Sequence, residues 1–235
     1  MRTVRPRGRK LNLAGVVLAR KIDPNSRPRY ADAAVQNCAM RFDIPVFDGF
    51  DEIDVFGPFE VLSSAKIPVR LVAVERPGIV TSMRGLRLEI DEILDSPQAL
   101  IVPGGGWLNH APEGSWAQAQ RGILPAKIAA AAEAGGVVAS VCTGTLLVAS
   151  AGLLAGRPAT TNRNALEELA DYGAIPITER VVDDAQFVSA GGLTAGIDLG
   201  LWLVERQLGT ASADQLAASI EYVRQGRVWH APARS

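Results

Sequence analysis

The chain is poor in the residues that most often announce a function. It holds two histidines, His110 and His230, and two cysteines, Cys38 and Cys142. Two cysteines cannot build a disulfide framework; they could pair with each other, but a reducing, cytoplasmic setting is the simpler reading. No spacing of Cys and His resembles a zinc site, so no metal is expected. No apolar run approaches the roughly 18 residues of a membrane span. A net charge of −1 offers no electrostatic case for binding nucleic acid or an acidic membrane surface. What is there is a chain of 235 residues, 48% hydrophobic, long enough to bury the core of one globular domain.

The first residues differ from the rest. Residues 1–39 carry nine Arg and Lys side chains against Asp23 and Asp32. The apolar stretch from Leu11 to Ala19 contains Asn12, runs into Arg20-Lys21 and offers no small-x-small cleavage site, so a signal peptide is not favoured. The segment reads as a basic, flexible extension or as a product of start-codon choice, with a domain over residues 40–228 and a tail over 229–235.

From residue 41 strand and helix patterns alternate. Strands are expected at 41–47, 69–75, 99–102 and 137–141, with one more at 159–161. Hairpin-like pairs are expected around Arg84-Gly85 and Asp184-Ala185. Helices are expected at 51–63, in a stretch capped by Ser115 with an alanine-rich body at 126–134, and at 143–151, 164–172, 194–208 and 212–225. Such alternation predicts a mainly parallel sheet covered by helices on both faces, a three-layer α/β sandwich of flavodoxin type.

Val137-Val138-Ala139-Ser140-Val141 ends in Cys142, and a small-residue helix pattern begins at once with Thr143-Gly144. This is a nucleophile elbow, a turn that exposes one side chain above the sheet and aims helix N–H groups at its surroundings. The positive helix end is expected to lower the thiol pKa. Taken alone, Cys142 fits a small buried hydrophobe equally well. In a parallel sheet ligands bind beyond the carboxyl ends of strands, where two other loops stand out. Gly104-Gly105-Gly106 admits a close backbone approach and, with the Thr143 N–H, could stabilise developing negative charge, or it is a plain tight turn. It lacks the spacing of a dinucleotide fingerprint. Asp54 lies among Ile53, Val55 and Phe56; burial there would raise its pKa and suit it to proton transfer, whereas Asp51 and Glu52 fit the positive end of a helix. His110 and His230 read as ordinary surface residues, although His110 could reach the pocket.

Residues 53–61 (IDVFGPFEV), 101–105 (IVPGG), 140–144 (SVCTG), 151–161 (AGLLAGRPATT) and 189–198 (SAGGLTAGID) together resemble the ThiJ/PfpI superfamily, the glutamine amidotransferase-like fold, over about residues 41–225. They look most like its isonitrile hydratase branch and like the ligand domain of AraC-type regulators. The resemblance implies Cys142 as nucleophile, Asp54 as its acid/base, Thr143 as the residue orienting the reacting group, Gly104 and Gly105 in an oxyanion-type pocket, and a homodimer. It implies a lyase that needs no cofactor: sulfur attacks the terminal isonitrile carbon, Asp54 supplies a proton, and water releases an N-substituted formamide.

The chain departs from that branch at Asn162-Arg163, where relatives often carry a histidine and an aromatic residue. A more polar, cationic substrate pocket is expected there. Thr143 stands where the superfamily's proteases have histidine, which argues against proteolysis. The alternatives are a glyoxalase or deglycase-type enzyme with Arg163 as carbonyl or carboxylate partner, and a small-molecule or redox sensor working through Cys142. Trp202 and Trp229 fit either core packing or self-association.

Overall fold

The computed structural model describes residues 40–232; the expectations for residues 1–39 and for 233–235 lie outside them. The chain forms a mostly parallel sheet flanked by helices, an α/β sandwich. In chain order the elements are β1 (Phe42–Val46), α1 (Glu52–Ser64), β2 (Val69–Ala73), β3 (Gly78–Thr81), β4 (Arg87–Ile90), β5 (Ala99–Val102), α2 (Ser115–Arg121), α3 (Ile123–Glu133), β6 (Val137–Val141), α4 (Gly144–Ser150), β7 (Pro158–Ala159), a 3-10 turn (Arg163–Ala165), α5 (Leu166–Asp171), β8 (Ile175–Pro176), β9 (Val181–Asp184), β10 (Phe187–Ala190), α6 (Ala195–Leu208), α7 (Thr210–Ser219) and β11 (Val228–His230). Seven strands make the central sheet in the order β11-β9-β10-β6-β5-β1-β2. β10 pairs antiparallel with β9, and β11 runs parallel to β9, so these two strands oppose the other five. β3 with β4 and β7 with β8 form two small separate pairs. No helix among the described residues is long and apolar enough to cross a membrane.

The central strands are continuous apolar runs because both faces are covered. All four residues of β5 are buried, as are Val138 to Val141 of β6. β1 carries one charge inside this layer: Asp43 is fully buried and receives Arg70 Nε at 2.7 Å and Nη2 at 2.9 Å, the two-pronged pairing that a carboxylate needs to leave water.

α1 and α6 cross at small residues. A Cβ on Gly200 would stand 2.9 Å from Val61 Cβ, and one on Gly196 would stand 3.1 Å from Pro58 Cδ. That close approach presses the first turn of α1 towards the end of β6, since the same position on Gly196 lies 3.4 Å from Val141 Cγ1. Pro58 has no N–H, so the Asp54 carbonyl four residues earlier loses its helical donor.

Three expectations are corrected. Ser115 does not cap a long helix: Gly114 holds the cap position, and Gly122, at φ 74°, separates α2 from α3. The last helix ends at Ser219 rather than 225, because Asp198 draws the following segment inward, accepting from Tyr222 Oη at 2.7 Å and Gln225 N at 2.9 Å. The supposed tail supplies Trp229 and His230 to β11 at the sheet edge. Trp202 is half-buried, donating to Asp183 Oδ2 at 2.7 Å and meeting His230 edge-on at 5.0 Å.

Candidate active site

Cys142 lies between β6 and α4 at φ 55°, in the left-handed region that non-glycine residues seldom occupy. Neighbouring chain holds it there. Its N–H is shared between the carbonyls of Ala190 at 3.1 Å and Gly191 at 3.0 Å, and its own carbonyl accepts Thr161 Oγ1 at 2.7 Å. Glycine is required two positions on, since a Cβ at Gly144 would fall 2.1 Å from the Val102 carbonyl oxygen. Crowding of this kind brings the elbow against the loop that follows β5.

The side chain of Cys142 is free of any disulfide and only 5% exposed. Asn162 Nδ2 donates to Sγ at 3.5 Å, and the backbone N–H groups of Leu193 and Thr143 also favour negative charge on the sulfur. They do not prevail. Burial first, and then the charge of Asp54, push the thiol up to about 12. The expectation that the helix end leaves Cys142 ionised is therefore overturned: desolvation outweighs the dipole.

Asp54, the third residue beyond the cap of α1, is wholly buried. Its Oδ2 accepts the Gly104 N–H at 3.0 Å; its buried Oδ1 has no hydrogen-bond partner of its own. Burial, then the charge of Asp51, raise the Asp54 pKa well above the ordinary range, against the smaller opposing influence of the Gly104 N–H, the neighbouring Cys142 thiol and the more distant Arg84. Arg84, on the turn between β3 and β4, ties Asp51 at 3.0 Å and Glu52 at 2.6 Å to the start of α1.

The glycine loop proves to be a hinge pin rather than a free row of donors. The Gly104 N–H is committed to Asp54, and the Gly105 N–H donates to Thr143 Oγ1 at 3.1 Å. Both are thus unavailable for the charge-stabilising task expected of them. Gly104 remains indispensable, because a Cβ there would lie 2.4 Å from Thr143 Oγ1 and 2.7 Å from the Thr143 nitrogen. Gly106, at φ 70°, turns the chain away against Glu113. Two participants escape sequence reasoning. Ser115 Oγ donates to the Gly105 carbonyl at 2.8 Å and lies 3.2 Å from Thr143 Oγ1, closing a buried ring of hydroxyls and backbone. Leu193, at φ 49°, offers its N–H to Sγ. The run Gly191-Gly192-Leu193 was a visible signal for an irregular turn; nothing in sequence marked Ser115 as other than a cap.

Asn162 stands beside Cys142, and its Oδ1 also caps the 3-10 turn through Asn164 N at 3.0 Å. Arg163, the next residue, is exposed and lines a neighbouring cavity. His110 stacks on Trp116 at 4.0 Å, and His230 packs on Trp202; neither donates to or accepts from Cys142. Among the described residues no group of His, Cys, Asp and Glu is arranged to hold a metal ion.

Comparison with known proteins matches residues 40–206 to the DJ-1/PfpI family. The chain is 35% identical over 188 residues to the isonitrile hydratase of Pseudomonas putida, covering 78% of this chain and 79% of that protein. It is 28% identical to a deglycase of Thermococcus kodakarensis over 61% of this chain and 84% of that protein. Among solved structures, a ThiJ/PfpI family protein from Pseudomonas syringae superposes with a TM-score of 0.71 at 26% identity, covering 86% of this chain and 84% of that one.

Proposed function

The chain belongs to the DJ-1/PfpI family, and from that premise we propose that it is a cofactor-free, cysteine-dependent hydratase that converts an isonitrile and water to an N-substituted formamide. The observation that carries the reading is the buried pair of Asp54 and Cys142, a carboxyl whose pKa is raised beside a thiol whose pKa is raised. Addition to an isonitrile consumes one proton, that of the thiol, and a protonated Asp54 can relay it to carbon.

In the first step a bond forms between Sγ and the terminal isonitrile carbon, while that carbon gains a proton from Asp54. The thiol proton passes to the carboxyl in exchange, so Asp54 ends as it began and a thioimidate remains on the sulfur. In the second step water adds to the imine carbon, Asp54 giving a proton to nitrogen and taking one from the water; the carbon–sulfur bond then breaks as the remaining hydroxyl proton passes to sulfur. The formamide leaves and the thiol is restored. Asn162 and the N–H groups of Leu193 and Thr143 supply donors to sulfur as charge grows there. Thr143 holds the glycine loop, and through Gly104 it holds Asp54. The same reading takes the protein to be a cytoplasmic homodimer, checked by its mass in solution.

The test is formamide production from cyclohexyl isocyanide by the wild type, Cys142→Ala and Asp54→Asn. Loss of product in both variants is the expected result. Full activity in Cys142→Ala would overturn the nucleophile. Turnover of methylglyoxal, with none of the isonitrile, would transfer the chain to the deglycase type of relative.

A further inference from the structure

A cavity of about 180 Å³ shares part of its lining with the chain that holds the elbow, although Cys142 itself does not line it. Thr161, Gly191 and Gly192 line it, and each of them also touches the immediate surroundings of Cys142. Thr161 Oγ1 binds the Cys142 carbonyl, the Gly191 carbonyl accepts the Cys142 N–H, and a Cβ on Gly192 would stand 3.1 Å from Asn162 Nδ2, the donor to sulfur. Two arginines line this cavity, Arg163 and Arg180. Arg180 is spoken for: Asp198 Oδ2 accepts its Nε at 2.5 Å, and Thr194 Oγ1 accepts from Nη2 at 3.0 Å. Arg163 has no hydrogen bond or ion pair with any described residue, and it follows directly on Asn162 in a 3-10 turn whose start is fixed by the Asn162 cap.

We propose that Arg163 is a specificity determinant that receives a carboxylate close to the electrophilic carbon, so that the preferred substrate is a small monoanion such as an α-isocyano carboxylate. The proposal rests on the reading of Cys142 as the reacting sulfur. An uncommitted guanidinium offers the planar fork that a carboxylate fits with two hydrogen bonds. Space for a few heavy atoms, at roughly 30 Å³ per water equivalent, excludes a large acid. Glu179 lines the same cavity and opposes any anion there, a monoanion less than a dianion, so Arg163 has to outweigh it.

Iodoacetate and iodoacetamide test this without assuming any turnover. In both reactions a bond forms between Sγ and a methylene carbon, iodide leaves, and the thiol proton goes to buffer; only iodoacetate carries a carboxylate. Rates are read on the Cys142 peptide by mass spectrometry at pH 9. The ratio of the iodoacetate to the iodoacetamide rate is expected to fall about tenfold to a hundredfold in Arg163→Ala, to fall less in Arg163→Lys, and to fall furthest in Arg163→Glu. Arg76→Ala removes the same charge from an exposed site elsewhere and is expected to leave the ratio unmoved. An unchanged ratio in Arg163→Ala overturns the proposal, as does an equal fall in Arg76→Ala. Turnover of isocyanoacetate against cyclohexyl isocyanide separates the two claims. If neither is hydrated but the alkylation ratio shifts, the hydratase reading fails and the anion site stands. If both are hydrated and the ratio of their kcat/KM is the same in wild type and Arg163→Ala, the hydratase reading stands and the anion site fails.

Discussion

Asp54 Oδ2 accepts the N–H of Gly104 at 3.0 Å, and that bond leaves Oδ1 as the buried oxygen with no hydrogen-bond partner. One loop thereby decides which face of the carboxyl stays available for a proton. The charge of the same carboxyl is the second cause, after burial, of the raised Cys142 pKa. Asp54→Asn is therefore expected to lower the thiol pKa, moving the pH profile of iodoacetamide labelling towards neutrality, while isonitrile hydration is lost. Asn162→Ala removes a donor to the sulfur and is expected to move that profile the other way.

Stability should carry the same signature. The folded-state pKa of Asp54 lies above its unfolded value, so its contribution is fully present below the unfolded pKa near 4 and is lost as pH rises through the folded one. Between those limits the wild type loses up to about 1.4 kcal/mol per pH unit relative to a neutral isostere. Thermal melts of Asp54→Asn and wild type should converge at pH 4 and separate steadily above it, the variant melting higher by roughly 2–4 °C for each kcal/mol. A constant offset across pH would contradict the burial of an ionisable Asp54.

The hydroxyl ring at the glycine loop gives a third expectation. Thr143→Val leaves the Gly105 N–H unsatisfied in a buried place, a cost of about 1–3 kcal/mol. It also loosens the loop that holds Asp54, so kcat should fall more than the melting temperature alone explains. Thr143→Ser, which keeps the acceptor, should restore most of both. Ser115→Ala should show a smaller version of the same pattern, measured by steady-state kinetics and thermal melts.

Away from the site, Arg70→Ala leaves the fully buried Asp43 carboxylate with only the more exposed Arg41, whose Nε lies 3.1 Å from Oδ1. A complete break of a buried pair costs about 3–5 kcal/mol, and the remaining Arg41 contact should keep the loss below the upper end of that range. Asp43→Leu combined with Arg70→Met should cost less, because no buried charge is left; Arg41 and Glu92, which lose their partners, reach solvent. Urea unfolding of the two variants distinguishes these outcomes.

Sequence by itself determined the layered α/β architecture and the place of the elbow. Apolar runs such as 99–102 and 137–141 are long enough only for strands buried on both faces, and a turn between such a strand and a small-residue helix leaves Cys142 few other conformations. It also singled out Asp54 and Asn162, because a carboxylate amid apolar neighbours and a departure from a known motif are local facts. The protonation of the thiol was decided elsewhere. Helix polarity is visible in a short segment, but desolvation sums over everything packed around the sulfur, and that sum is larger here. The same holds for Gly104 and Gly105, whose N–H groups looked free until Asp54 and Thr143 arrived from distant parts of the chain to take them. Ser115, Leu193 and the edge-strand residue Trp229 owe their roles to partners 28, 51 and 47 residues away (Thr143, Cys142 and Val182, by difference of residue numbers). Contacts over such separations form only when the sheet order brings the loops together, and no periodicity within a segment records that order.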